Sequence, residues 1–309
     1  MYKLPQVPSP QAENHELADF AELTCWHYGL VSKQEILAYL DQVDDNDNNI
    51  GCDDDEDKNS ELLDEVMNEI ERRNSDCGRG YPFELDSTGT ILRHQSKNLA
   101  HRATLYRYLL LSTRLNMKEN RVHIGIDGAA LLEEVAAHAL KNYLGGNRAR
   151  SHVFGTASAG GFQDKVNRLC SELGEGGRFR SLDNAPVQAQ DDKLDAVAWV
   201  PFSDSLPGQI IIFGQCKTGT NWSGLVTQLQ PDAFIKKWMT DPILVNPVRA
   251  FCISEAVGRS RWKGLGTEAG IMLDRCRLVD FCEDLEPDLF ERISEWTSAA
   301  KDTIEYSSR

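Results

Sequence analysis

The sequence predicts an α/β fold preceded by a mainly helical N-terminal region, and three observations predict it. Before residue 121 apolar residues recur at helical spacing; after it, short apolar runs alternate with amphipathic segments. Two of those runs, 194–200 and 209–217, are strand-like and joined by a turn-forming stretch of Pro, Ser, Asp and Gly. At 309 residues, 41% hydrophobic and 26% charged, the chain can bury a sizeable core, and its length suits two parts. These are a helical acidic region, residues 1–120, and an α/β domain, residues 121–309.

The elements follow in order. Leu17, Phe20, Ala21 and Tyr28 mark a helix over 13–28, which Gly29 stops. Ser32 followed by Glu35 is a capping box ahead of Ile36, Leu37 and Leu40. Leu62, Val66 and Ile70 line a further helix, 81–92 reads as an irregular strand pair, and a helix over 103–115 closes the region. Beyond Arg121 come a strand at 122–126, a helix at 130–144 ended by Gly145 and Gly146, a glycine-rich loop and a helix at 162–173. The two apolar strands lead to helices at 222–230, where Asn221 suits the N-cap, and 232–240; strands at 249–254 and 271–273 and a helix after Pro287 complete the chain. Gly264, Gly266 and Gly270 lack dinucleotide-binding spacing and read as a loop. Phe234, Trp238 and Trp262 are expected to pack a core.

A net charge of −15 opposes polyanion binding by the chain as a whole, but the charge is uneven. Residues 1–120 carry −11 and 277–309 carry −5, whereas 121–276 carry +1, and 141–180 hold seven basic against three acidic residues. The densest acid, 44–57, reads as a solvated loop or partner-docking segment. An EF-hand is disfavoured because Asn49 stands where the calcium loop needs Gly and Asp55 where it needs Glu. No apolar run approaches the ~20 residues of a membrane span, and the N-terminus has no apolar signal core, so no membrane contact and a cytoplasmic location are expected. Eight cysteines without C-x-x-C spacing predict reduced thiols, and the histidines lack zinc spacing.

Residues two apart in a strand share a face, so Gln215 and Lys217 point together at the end of an apolar strand while Cys216 points the other way. A polar pair there is costly unless hydrogen-bonded or used. Asp195 interrupts the neighbouring strand in the same way, and a hairpin brings these polar positions together. An Asp beside a polar residue and a Lys suits phosphodiester hydrolysis with Mg2+ or Mn2+. Asp195 and the backbone carbonyl of Cys216 supply hard oxygen ligands, while Lys217 orients water and offsets charge growing on phosphorus.

The run from Leu194-Asp195 to Gln215-Cys216-Lys217 resembles the D…(D/E/Q)-x-K core of the PD-(D/E)xK nuclease superfamily. It is most similar to the restriction-endonuclease-like, Mrr-type branch, in which Gln takes the place of the second acid. The resemblance covers about residues 121–280 and implies an αβββαβ core, cleavage of DNA with Mg2+ or Mn2+, and a Glu on the helix before the sheet. That Glu maps to Glu133, with Glu134 the alternative, giving Asp195, Glu133 and Cys216 as the implied metal ligands. A Gln that the family carries on the helix after the Lys maps to Gln228. The resemblance also implies a restriction or antiphage role in a prokaryote, controlled by an ATPase or sensor protein or by homo-oligomerisation. This chain has no G-x4-G-K-[ST] loop of its own. Arg148, Arg150, Lys165 and Arg168, with Arg178 and Arg180, form the candidate DNA-binding set, and the acidic N-terminal region is expected to regulate or dock the nuclease. The alternative is a non-catalytic nucleic-acid or partner-binding subunit of the same fold, favoured if Glu133, Asp195, Gln215 and Lys217 fail to converge; a nuclease acting on RNA is a third reading.

Overall fold

The central sheet forms where the sequence concentrates β-branched and aromatic residues. A computed structural model describes residues 2–44, 54–98, 100–182 and 192–304, so most of the acidic segment 44–57 lies outside the described residues. Five strands, β6 (Arg150–Val153), β7 (Ala196–Val200), β8 (Ile210–Lys217), β9 (Val248–Ile253) and β10 (Ile271–Leu273), run in the order β10-β9-β8-β7-β6. The sheet is mixed: β6, β7 and β8 are antiparallel, and β9 and β10 run parallel to β8. Helix α5 (Gly128–Tyr143) precedes β6, α6 (Phe162–Leu173) is inserted before β7, and α7 (Pro231–Trp238) carries the chain from β8 to β9.

Alternation along β8 explains the layers. Ile212 and Cys216 face α5, together with Ala196 and Ala198 of β7, whereas Ile211 and Phe213 face α6 and α7 with Val197 and Trp199. Small residues bring α5 close: a Cβ on Gly214 would stand 2.9 Å from the Leu140 side chain and 3.3 Å from the Ala196 carbonyl, so a larger residue here would push helix and strand apart or shift Leu140. Asp127 caps α5 by accepting from the amides of Ala129 and Ala130 at 2.9 and 3.4 Å.

The N-terminal region contains α1 (Asn14–Tyr28), α2 (Lys33–Asp44), α3 (Asp54–Cys77) and α4 (His101–Arg114), with a small antiparallel sheet of β1 (Leu30–Ser32), β3 (Ile91–His94) and β2 (Phe83–Leu85). The capping box forms as the sequence predicts: Ser32 N donates to Glu35 at 2.9 Å and Glu35 N to the Ser32 hydroxyl at 3.2 Å. This region does not stand off as an arm. Leu17, Val66 and Leu109 share one hydrophobic core with Leu132 of α5, with α9 (Arg275–Asp280) and with Trp296 of α10 (Pro287–Asp302), so residue 120 is not a packing boundary. Part of the acid counted as surface charge is buried counter-ion: Asp19 and Glu22 are inaccessible to solvent and bind Arg73, Arg114 and Arg275.

Four expectations differ from the structure. The single strand expected at 122–126 is a tight antiparallel hairpin of β4 (Val122–His123) and β5 (Ile126–Asp127), because Ile124 and Gly125 take positive φ and turn the chain back. Residues 222–230 form only a 3-10 turn, Ser223–Leu225, so Asn221 caps no α-helix and Gln228 lies in the loop before α7. The glycine-containing stretch expected as a loop is helix α8 (Trp262–Ala269), because Trp262 and Leu265 pack onto Phe251 and Met272 and that packing outweighs the glycines' low propensity. Strand β6 has no apolar pattern of its own and exists by pairing with β7. Among the described residues every cysteine is free and buried, and no helix is long and apolar enough to cross a membrane.

Candidate active site

Asp195 sits one residue before β7. Register Ala196↔Gly214 puts it beside Gln215, and its Oδ2 accepts from the Cys216 amide at 2.6 Å. Its backbone carbonyl accepts from the amides of both Phe154 and Gly155, at 2.8 and 2.9 Å, which pins the turn following β6 to this strand end. The same turn holds Glu133. Thr156 donates its hydroxyl to Oε1 at 2.8 Å, and the Ala157 amide donates to Oε2 at 2.7 Å. A Cβ on Gly155 would stand 2.5 Å from the Glu133 carboxylate, so this glycine lets the turn lie directly on the acid. Glu133 and Asp195 are thereby brought to opposite sides of one turn, both nearly buried. Glu134 points the other way and makes a two-pronged pair with Arg292 at 2.6 and 2.7 Å, leaving Glu133 as the acid of α5 at this site.

Gln215 is completely buried. Its Nε2 donates to Gln228 Oε1 at 3.2 Å, and its Oε1 has no hydrogen-bond partner among the described residues. Turning the amide over would leave the nitrogen orphaned instead. An acceptor buried here costs about 1–3 kcal/mol unless a group from outside the chain, such as water or a cation, meets it. Lys217 follows at the end of β8, half-buried, and its side chain makes no hydrogen bond or ion pair among the described residues. The Cys216 thiol is pushed well above its ordinary value by its hydrogen bond with Cys252, by burial, and by the carboxylates of Asp195 and Glu133, so it stays protonated. Only its backbone carbonyl is a usable oxygen ligand.

One wall of the site comes from the N-terminal region. The amide of Gly219, two residues beyond Lys217, donates to Ser112 O at 3.1 Å, and the Lys3 ammonium donates to Thr113 O at 2.5 Å, next to Gly219. Burial and the neighbouring Arg114 lower the pKa of Lys3 to about 8. Sequence reasoning missed Lys3 because it meets this edge across 110 residues of chain, with no local pattern to mark it. The turn 155–157 was missed because its role rests on backbone amides and on one absent Cβ.

The basic set does not gather here. Lys165 is buried and donates to the Gly155 carbonyl at 2.5 Å, supporting the turn from below instead of lying on the surface. Arg148 and Arg150 are exposed at the start of β6; register Arg150↔Trp199 puts them at the other end from Val153↔Ala196, roughly 10 Å away at the strand rise. Arg168 is exposed on α6, Arg178 is exposed beyond it, and Arg180 donates to Lys236 O at 2.6 Å.

Against known proteins the result is negative. No protein family, curated protein or solved structure matches the chain.

The donor set fits a hard divalent cation: two carboxylates, a backbone carbonyl and an orphaned amide oxygen, all oxygen ligands, with a cationic side chain next to them. Among the described residues no group of three or more His, Cys, Asp or Glu could hold a metal, so a cation here would depend on the neutral Gln215 oxygen beside Asp195 and Glu133.

Proposed function

We propose that the chain is a divalent-metal-dependent endonuclease that hydrolyses DNA phosphodiester bonds, of the PD-(D/E)xK kind with Gln215 in the second acid's place. The observation that carries this reading is the buried Gln215 oxygen without a hydrogen-bond partner among the described residues, flanked by Asp195 just before the next strand and by Lys217 two residues on. The succession α5, β6, β7, β8, α7, β9, interrupted by α6 between β6 and β7, supports it, since apart from that insertion it is the order that the resembled family uses.

Asp195, Gln215 Oε1 and the Cys216 carbonyl would hold Mg2+ or Mn2+, with Glu133 on the far side of the turn, and the bound cation would polarise the scissile phosphate and acidify water. The remaining work falls to the chain's own groups. The Cys216 amide fixes one Asp195 oxygen and so aims the other. Thr156 and Ala157 hold Glu133 oriented through two donated hydrogen bonds. Lys217, whose side chain makes no hydrogen bond or ion pair among the described residues, would orient the attacking water and offset charge building on the phosphorane oxygens. A neutral Gln in place of an acid weakens cation binding, and a chain of net charge −15 approaches DNA poorly, so control by an ATPase or sensor partner, or by assembly, belongs to this reading.

The test is cleavage of supercoiled and linear DNA with Mg2+ and with Mn2+, comparing the native protein with Asp195→Ala and Lys217→Ala, whose folding is checked by circular dichroism. Each variant should cut at least ~100-fold more slowly. Undiminished cutting by folded variants refutes the assigned residues. Absence of cutting with either metal, and with candidate partners added, favours the non-catalytic binding subunit. Cutting of RNA in preference to DNA redirects the substrate.

A further inference from the structure

At the end of the sheet away from the candidate site, the chain leaves a large apolar surface uncovered. Phe202 and Leu206 in the β7–β8 turn, Ile210 at the start of β8, Leu244 and Val245 in the segment before β9, and Val248 at its start are each between 42% and 65% exposed. They lie side by side. Val200 pairs with Ile210 and Ile212 with Val248, so three adjacent strand ends carry them. The Glu175 carboxylate ties the two loops together by accepting from the amides of Gly208 and Leu244, at 2.9 and 2.8 Å.

We infer that this surface is the interface of a homodimer, with a second copy of the chain as its occupant. The area argues for it. Six aliphatic and aromatic side chains at this exposure present about 600 Å² of apolar surface, the upper end of what a monomer leaves bare. At the roughly 60–65% apolar share of dimer interfaces, that corresponds to about 900–1,000 Å² per partner, against the ~800 Å² that a stable complex buries. The chemistry argues for it too. A twofold interface must complement itself, and an apolar patch does so without charge matching. Arg148 and Arg150 are exposed at the edge of this end of the sheet, at the start of β6, while segments 200–210 and 241–248 themselves contain only two charged residues, Asp204 and Asp241. Both are acidic, and the whole chain carries −15, so like charge opposes the pairing that the apolar patch drives. Salt should therefore tighten the dimer by screening.

Sedimentation equilibrium of the full chain tests this, with Leu206→Asp and Leu244→Asp as interface variants and Val122→Asp, at an exposed residue of a different element, as control. The native chain should dimerise, more tightly at about 0.5 M than at about 0.05 M NaCl. Each interface variant should weaken the dimer about 100-fold or more with an unchanged circular dichroism spectrum, and the control should leave it intact. A native chain that stays monomeric at about 100 µM overturns the proposal. So does a dimer that both interface variants leave unchanged. A dimer weakened by added salt makes the contact ionic and removes this patch as its cause.

Discussion

Replacing Asp19 by alanine removes the anion at which three arginines meet. Its carboxylate accepts from Arg73 Nη1 at 2.7 Å, Arg114 Nε at 2.7 Å, and Arg275 Nη1 and Nη2 at 2.7 and 3.0 Å, and none of the four side chains reaches solvent. Breaking a buried ion pair from one side costs about 3–5 kcal/mol, because the remaining charge stays buried without its partner. Glu16, Glu22 and Glu69 still neutralise part of the arginines, so we expect about 4 kcal/mol, a large share of the 5–15 kcal/mol that holds a folded chain. In urea that corresponds to a midpoint lower by about 1.3 M, for a slope near 3 kcal/mol/M. Trp26 lies on α1, and Trp199 and Trp296 lie on β7 and α10, so tryptophan fluorescence follows both ends of the network. Because Arg275 comes from the C-terminal half, the whole chain should unfold in one transition that moves as a unit. A loss below about 1 kcal/mol, or two transitions of which only one moves, refutes the reasoning. The pH dependence follows from the same geometry. Burial pushes the Asp19 carboxyl up, but Arg275, Arg114 and Arg73 outweigh it and hold the group well below its ordinary value. The unfolded chain therefore takes up this proton first, so the contribution is full above about pH 4 and is lost as pH falls further; Asp19→Ala should flatten that acid limb.

Other outcomes are equally checkable. Gly128→Ala should cost about 1–3 kcal/mol in thermal unfolding, because its Cβ would stand 2.5 Å from the buried Trp296 ring. Glu134→Gln should cost about 1 kcal/mol by loosening the half-buried Arg292 pair and leave metal-dependent DNA cutting intact, whereas Glu133→Gln should slow it; equal effects on cutting would refute the assignment of Glu133. Burial, with the positive charges of Arg107 and Lys301, lowers the pKa of His94 to about 4. The unfolded chain then binds this proton first, so stability attributable to His94 is full above about pH 6.5 and is lost as pH falls towards 4. His94→Gln should remove that part of the loss, read as unfolding free energy at pH 7.5 and 5.

What could be read from the sequence was what local patterns encode. The Ser32/Glu35 capping box, the alternation that splits Gln215 and Lys217 from Cys216, and the 162–173 helix each follow from spacing within one segment. What escaped depends on contacts between distant segments. Nothing near Asp19 or Glu22 marks them as buried, since their arginines lie 51 to 256 positions away. Lys165 reads as a surface cation until Gly155 is seen above it, and β6 has no pattern that distinguishes it from a loop until β7 pairs with it. The candidate site divides in the same way. Asp195, Gln215 and Lys217 are legible in two strands, whereas the turn 155–157 and the wall at Lys3 exist only once the chain has folded.

Gln215→Glu separates a ligand from a packing residue more sharply than any deletion. The substitution keeps the shape and puts a carboxylate where the side chain is fully buried, beside Asp195 and facing Gln228 Oε1. Without metal it should lower the unfolding temperature, since the group must either stay charged in a dry place or take up a proton against its ordinary pKa. If the Gln215 oxygen is a ligand position, the variant gains an anionic ligand and binds Mn2+ more tightly than the native chain does. A cation that binds only the folded state stabilises it by RT ln(1 + [L]/Kd), about 2.7 kcal/mol at a hundred times Kd, or roughly 5–10 °C in a chain of this size. The variant's metal-free deficit should then shrink as Mn2+ is added, by more than the native protein gains at the same concentration. Should Mn2+ leave both melting temperatures unchanged, the orphaned oxygen is not a metal position and the nuclease reading loses the observation that carries it. A native protein that gains stability while the variant does not would move the cation away from Gln215 and onto Asp195 and Glu133 alone.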